Sequence, residues 1–169
     1  MIRQIKIQSI LVVFVLFISS NIFSQHFTSK TELEKLTELE VKGTTPYYDG
    51  SYIIELTKKG GQEKWVLPLV IGVCEAAAAT RTMEKTESTR PLTYDLFMNV
   101  FAALNAKPTH IVISKLEAGT YYAIIVLQDN AGKSIEIDAR PSDSINIALK
   151  ANIPIYTTKE VLDAGKETR

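Results

Sequence analysis

The densest group of reactive side chains is Glu136-Ile137-Asp138-Ala139-Arg140-Pro141-Ser142-Asp143. It reads as a strand ending in a helix. Strand side chains alternate, so Glu136, Asp138 and Arg140 are expected on one face. Asp143 falls in the first helical turn, beside unpaired backbone N–H groups. Such a junction can take an anion on those donors and Arg140. It can also hold a divalent metal through Asp138 and Asp143, because Mg²⁺ commonly takes one or two carboxylates plus substrate phosphate oxygens. The same residues have an ordinary structural reading, the commoner one on spacing alone. Asp143 complements the helix dipole, and Arg140 pairs with Asp138. A second junction of this kind is Arg90-Pro91-Leu92-Thr93-Tyr94-Asp95-Leu96. Again an Arg precedes a helix and an Asp stands in its first turn. Two such junctions, each with Arg and Asp, can face one another across a cleft, or both can be plain helix caps.

Other chemistry finds less support. Cys74 near a helix start would have a lowered thiol pKa, but nothing in the sequence brings it to His110. The chain has 1 Cys and 2 His, which excludes an internal disulfide, a Cys-rich zinc site and an HExxH helix. Lys58-Lys59-Gly60-Gly61 is too short for a phosphate loop and reads as a turn. Tyr47, Tyr48, Tyr121 and Tyr122 can stack bases, though strand packing explains such residues more often.

These residues are carried by 169 residues with 19 basic and 19 acidic side chains and 46% apolar composition, the profile of one globular domain. The N-terminus differs from the rest. Arg3 and Lys6 precede the apolar run Ile10 to Ile18, and Ser19 to Gln25 turns small and polar. This is the three-part pattern of a secretory signal peptide over residues 1–24, with a run too short to span a bilayer. It predicts a secreted or periplasmic protein with no stable membrane insertion after cleavage. Loss of Arg3 and Lys6 leaves 17 basic against 19 acidic residues, net −2. Proteins that bind nucleic acid by phosphate neutralisation are usually basic, so a nucleic-acid role here needs a local patch or a metal.

The elements follow from periodicity. Residues 25–36 form a polar N-terminal tail in which Thr31 and Glu34 can cap a short helix. Leu39 and Val41, then Tyr52, Ile54 and Leu56, then Trp65 to Ile71 predict a three-stranded antiparallel meander, with turns at Pro46–Gly50 and Gly60-Gly61. Cys74 to Glu84 predicts a helix. Thr93 is expected to cap a second, with Leu96, Phe97, Val100, Phe101 and Leu104 on one face. His110–Leu116, Tyr121–Leu127 and Ser134–Ala139 predict a second meander. Ala123, Ile125 and Leu127 face one way and Ile124 and Val126 the other, so its middle strand is covered on both sides. Ser142 is expected to cap a third helix with Ile145, Ala148 and Leu149 buried. Pro154–Tyr156 is a short strand, and Thr157 with Glu160 caps a last helix ending near Gly165. The fold class is α+β: two antiparallel meanders with helices between and after them in a single compact domain over residues 37–166.

Three stretches together resemble the bifunctional nuclease domain family: Leu67-Pro68-Leu69-Val70-Ile71-Gly72 with Cys74-Glu75-Ala76; Arg90 to Leu96; and Ile137-Asp138-Ala139-Arg140-Pro141-Ser142-Asp143-Ser144-Ile145. The resemblance runs from Leu39 to Gly165, and Asp-Ala-Arg-Pro-Ser-Asp is its most specific part. It implies a compact α+β domain with nuclease activity on RNA and DNA, as described for plant members. Mapped by motif, it points to Glu75, Arg90, Asp95, Asp138, Arg140 and Asp143. The family usually has His where this chain has Tyr94. Imidazole is a good base or metal ligand near neutral pH and phenol a poor one.

Two functions of different classes follow. One is metal-assisted phosphodiester hydrolysis. Asp138, Asp143 and Asp95 hold Mg²⁺ or Mn²⁺, Arg140 and Arg90 bind substrate and stabilise developing charge, and RNA or DNA is the partner. Its catalytic set is Asp95, Asp138, Arg140 and Asp143. The other is a non-catalytic binding or assembly module whose Arg and Asp residues form a structural ion-pair network. A homodimer is expected in either case. Exposure separates them: sealed, mutually paired charges favour the scaffold, and an open cleft favours the enzyme.

Overall fold

The structure, a computed structural model, describes residues 27–61 and 67–167. The leader at 1–24, tail residues 25 and 26, and Trp65 lie outside the described residues. Strands β1 (Thr37–Pro46), β2 (Tyr52–Lys58) and β3 (Leu67–Ile71) form the first antiparallel meander. Strands β4 (Ala106–Glu117), β5 (Thr120–Asp129) and β6 (Ser134–Ala139) form the second. Between β4 and β5, Ala118 and Gly119 have φ of 48° and 78°, as a two-residue primed hairpin turn requires.

A short strand, β7 (Ile155–Thr157), lies between the two meanders. It runs antiparallel to β1 and parallel to β4, giving one mixed seven-stranded sheet in the order β3-β2-β1-β7-β4-β5-β6. Buried Thr157 donates its hydroxyl to the Ile113 carbonyl at 3.1 Å, tying β7 to β4.

Five helices occur among the described residues: α1 (Lys30–Leu33), α2 (Val73–Met83), α3 (Thr93–Ala103), α4 (Pro141–Ala151) and α5 (Lys159–Glu167). Among them no helix is long and apolar enough to cross a membrane. Helix α4 is the hub. It packs on β4 and β5 and receives α2 and α3 on its flanks. The small side chains of Ala76 and Ala79 are buried, so α2 approaches closely. Ile145 and Ala148 are buried as the pattern predicts, Leu149 is half-buried, and Ile147 and Asn146 are buried too, because α4 is enclosed on several sides.

The caps differ from expectation. Ser29, not Thr31, caps α1 by accepting the Glu32 N–H. Helix α3 starts at Thr93, its N-cap is Leu92, and the Asp95 carboxylate takes the Leu92 N–H at 2.9 Å. Helix α4 has Arg140 at the N-cap and Pro141 in its first turn, so Ser142 is inside the helix. Thr158, rather than Thr157, accepts the Val161 N–H at the start of α5, which runs on to Glu167. The inward stripe of α3 is Tyr94, Met98 and Phe101, at i, i+4 and i+7, whereas Leu96, Phe97, Val100 and Leu104 are exposed.

Strand β5 is an inner strand with Ala123, Ile125 and Leu127 buried on the helix side and Val126 buried on the other. That second face is partly closed by the chain's own N-terminal portion. Phe27 is buried there, its N–H donates to Glu136 Oε1 at 2.7 Å, and its carbonyl accepts from His110 Nε2 at 2.8 Å.

Candidate functional site

The site is built at the end of β6. The strand stops at Ala139, and Arg140 turns off as the N-cap of α4 with extended φ and ψ of −65° and 145°. Its backbone carbonyl is held by the Ser144 N–H at 3.0 Å and hydroxyl at 3.1 Å. Its side chain curls back over the first turn. Nε donates to Asp143 Oδ2 at 2.7 Å and Nη2 to Asp143 Oδ1 at 3.1 Å, a bidentate fork. Nη2 also donates to Glu75 Oε1 at 2.7 Å. Arg140 therefore pairs with Asp143 and Glu75, not with Asp138. Its Nη1 has no hydrogen-bond partner among the described residues. Two carboxylates together hold the guanidinium more firmly protonated than usual, Asp143 contributing most.

Glu75 arrives from α2, three residues past Gly72, the N-cap. Its carboxylate lies against the Gly72 backbone: a Cβ on residue 72 would meet Oε2 at 2.4 Å. Glycine at 72 therefore leaves room for this Glu75 pose. Asn146, which sequence reasoning missed, fixes α2 against α4 at the same level. Its amide donates to the Glu75 carbonyl at 3.1 Å and the Ser142 carbonyl at 2.9 Å, while its buried Oδ1 has no partner among the described residues. A polar residue in an apolar helical stripe was the available signal.

The second junction joins the first through Tyr94, whose hydroxyl donates to Asp143 Oδ1 at 2.9 Å. Burial, followed by the Asp143 hydrogen bond and charge, raises the Tyr94 pKa. This phenol stays protonated and acts as a donor, never as the base that a histidine would supply. The two junctions do meet, and Tyr94 is the hinge between them.

Tyr94 also forms one wall of an open cleft of about 630 Å³ between α2, the link to α3, and the end of α4. Arg81, Lys85, Arg90, Asp95 and Lys150 line it as well. Asp95 pairs with Lys150, and that contact, with the Leu92 N–H second, lowers its pKa. Asp95 thus ties α3 to the last turn of α4 and stands in the cleft rather than in the Arg140 cluster. Arg90 lines the cleft and is exposed.

Asp138 is placed elsewhere. It pairs with Ile124, and strand alternation puts it on the same face as Glu136, opposite Ile137 and Ala139. Lys115 on β4, whose pKa is raised chiefly by its hydrogen bond to Glu117, feels Asp138 as the smallest of the raising charges. Among the described residues no three His, Cys, Asp or Glu side chains gather as a metal-ligating group. Cys74 is exposed, and the His110 ring is engaged by Phe27 and Thr109, so the structure assembles no thiol–imidazole pair.

The sequence matches the family described as the bifunctional nuclease domain over residues 56–168. The chain belongs to the bifunctional nuclease domain family. Bifunctional nuclease 1 of Arabidopsis thaliana is 25% identical over 111 residues, covering 60% of this chain and 34% of that protein. Bifunctional nuclease 2 of the same plant is 25% identical over 134 residues, covering 73% of this chain and 40% of that protein. An uncharacterised Mycobacterium tuberculosis protein is 42% identical over 96 residues, covering 57% of this chain and 56% of its own length. The chain therefore spans about half the length of that relative and less of the plant proteins. All three family stretches after Leu67 fall inside the matched region. All three contribute to the corner described above, through Glu75, through Tyr94, and through Arg140 with Asp143.

Proposed function

We propose that this bifunctional nuclease domain hydrolyses phosphodiester bonds of RNA or DNA at the Arg140 corner. The observation that carries the reading is the exposure of the Arg140 side chain, 67%, while its partners Asp143 and Glu75 are held back at 29% and 15%. A sealed scaffold network would hide the cation as well. Here two anchored carboxylates fix the guanidinium and leave its Nη1 hydrogens for a phosphate oxygen, where charge grows in the transition state. Glu75 Oε2, the oxygen not engaged by Arg140, is the candidate to take the proton of an attacking water. Tyr94 is a positioning residue that holds Asp143.

A divalent ion shared by Asp138 and Asp143 does not fit this donor arrangement. Asp138 stands on the far face of β6, and both oxygens of Asp143 are occupied by Arg140 and Tyr94. Mg²⁺ or Mn²⁺ would need another donor set. The test incubates the purified protein near substrate concentration with single- and double-stranded RNA and DNA, in Mg²⁺, in Mn²⁺ and in EDTA. Cleavage is expected, and Arg140→Lys, which keeps the charge but loses the fork, is expected to slow it by about 100-fold. Absence of cleavage in every condition refutes the proposal.

The same proposal places the protein outside the cytoplasm, on the leader-like pattern of residues 1–24, and makes it a homodimer. Leu96, Phe97, Val100 and Leu104 form an exposed apolar strip on α3, with Leu104 at 71%. Contiguous exposed apolar strips of this kind mark interaction surfaces. A twofold axis through α3 lets the strip cover itself.

A further inference from the structure

We propose that the cleft between α2 and α3 is a track for a single strand of nucleic acid, with Arg81, Lys85 and Arg90 holding successive backbone phosphates that lead to Arg140. The inference rests on the phosphodiester reading of Arg140 and names its substrate as single-stranded.

The charge in the cleft is local. The whole chain balances 19 basic against 19 acidic residues, yet four cations line this hollow against Glu87 and Asp95. Lys150 is already paired with Asp95. Arg81, Lys85 and Arg90 are exposed, and none takes part in an ion pair among the described residues. Arg81 and Lys85 sit at the carboxyl end of α2, where the helix dipole favours cations. Arg90 has no such reason: it stands before the start of α3, at the positive end of that dipole. Three cations converge on this hollow and none is ion-paired with Glu87, the other carboxylate lining it; they repel one another, and a polyanion relieves the repulsion.

Lys85 adds an independent observation. Its φ is 55°, in the left-handed region. The Thr86 N–H bonds the Arg81 carbonyl at 2.9 Å, and the Lys85 N–H bonds that of Thr82 at 3.2 Å. This is a Schellman ending, whose left-handed position is usually glycine. A lysine is strained there, and its side chain lines the cleft.

Size and continuity select the ligand. A cleft of about 630 Å³ accommodates about two nucleotides of a strand but not the body of a duplex. Tyr94 walls the cleft and also holds Asp143, which holds Arg140, so a strand leaving the cleft past Tyr94 meets the exposed guanidinium.

The test is fluorescence anisotropy of a fluorescein-labelled oligothymidylate 12-mer with the purified protein, titrated between 50 and 200 mM salt. Replacing Arg81 by Ala and Lys85 by Gly together is expected to weaken binding at least about tenfold at low salt. It should also flatten the slope of log affinity against log salt by about 1.4, two phosphate contacts at about 0.7 each. Arg90→Ser, a change in an exposed link that the fold does not need, should flatten it by about 0.7. Unchanged affinity and slope in both variants overturn the track, as does a blunt 12-base-pair duplex that competes as well as the single strand. Binding is read without turnover, so a chain that binds but does not cut refutes hydrolysis and leaves the track standing. One that cuts through Arg140 with these variants unaffected does the reverse.

Discussion

At the scale of single residues, two polar side chains show what the surroundings decide. Tyr94 stands in the first turn of α3, where its hydroxyl reaches Asp143. Burial and the Asp143 carboxylate keep its phenol protonated, so residue 94 is a hydrogen-bond donor to Asp143. His110 was weighed as a partner for Cys74 and is instead a buried clasp for Phe27. The Phe27 carbonyl can only accept, so Nε2 carries the proton. Burial pulls the His110 pKa below its ordinary 6.5, against the raising influence of Phe27 and Glu136. The folded chain thus binds this proton less readily than the unfolded chain, and stability rises with pH across the interval between the two pKa values. Acidification from pH 7.5 to 5.5 is therefore expected to lower the urea midpoint. His110→Gln, which keeps an amide donor, should remove that dependence. A midpoint falling equally in both proteins would exclude His110 as its source. Asp95 and Glu117, whose pKa values are depressed, lose their contributions only at lower pH.

At the scale of elements, helix ends carry the proposed site, and they are also where the sequence signals were ambiguous. Lys85 at the left-handed end of α2 is strained relative to glycine, so Lys85→Gly is expected to raise stability by about 0.5–1 kcal/mol. A thermal melt of the single variant checks this, and a lower melting temperature would mean that the Lys85 side chain supports the fold. The strands were readable because alternation and turn residues agree: Ile54 and Leu56 point inward, and Ala118-Gly119 makes its hairpin. The caps were misplaced because Ser, Thr, Asp and Asn stood on both sides of each boundary. Thr93 and Ser142 had the right side chains, yet Asp95 captured the Leu92 N–H and Pro141 set the start of α4. The face of α3 was misjudged for a similar reason. Leu96, Phe97, Val100 and Leu104 make as apolar a stripe as Tyr94, Met98 and Phe101, and sequence does not say which stripe meets the core. In the site, the motif residues Arg140 and Asp143 were legible, but the partner of Arg140 was not. Glu75 lies on α2, and only the packing of α2 on α4 brings it across. Asp138 was assigned to the corner by strand alternation that Arg140, already off the strand, no longer obeys.

At the scale of the whole molecule, the exposed strip on α3 leads to a measurement of mass. Light scattering after size exclusion is expected to report a dimer. Leu96→Glu placed with Leu104→Glu should return it to a monomer without lowering its helix content, because neither side chain enters the core. A wild-type monomer at tens of micromolar would remove the self-association proposal. The sheet carries another consequence. Its middle strand, β7, is also the last one the chain supplies, and it closes contacts with β1, more than a hundred residues earlier. Until Ile155 to Thr157 slot in, β1 and β4 each present a bare rim of unsatisfied amides and carbonyls. A chain emerging in order from a ribosome therefore holds two separate hairpin sets, sticky along their inner borders. One cut after Pro154 would stay in that state, an invitation to aggregation rather than a smaller working domain.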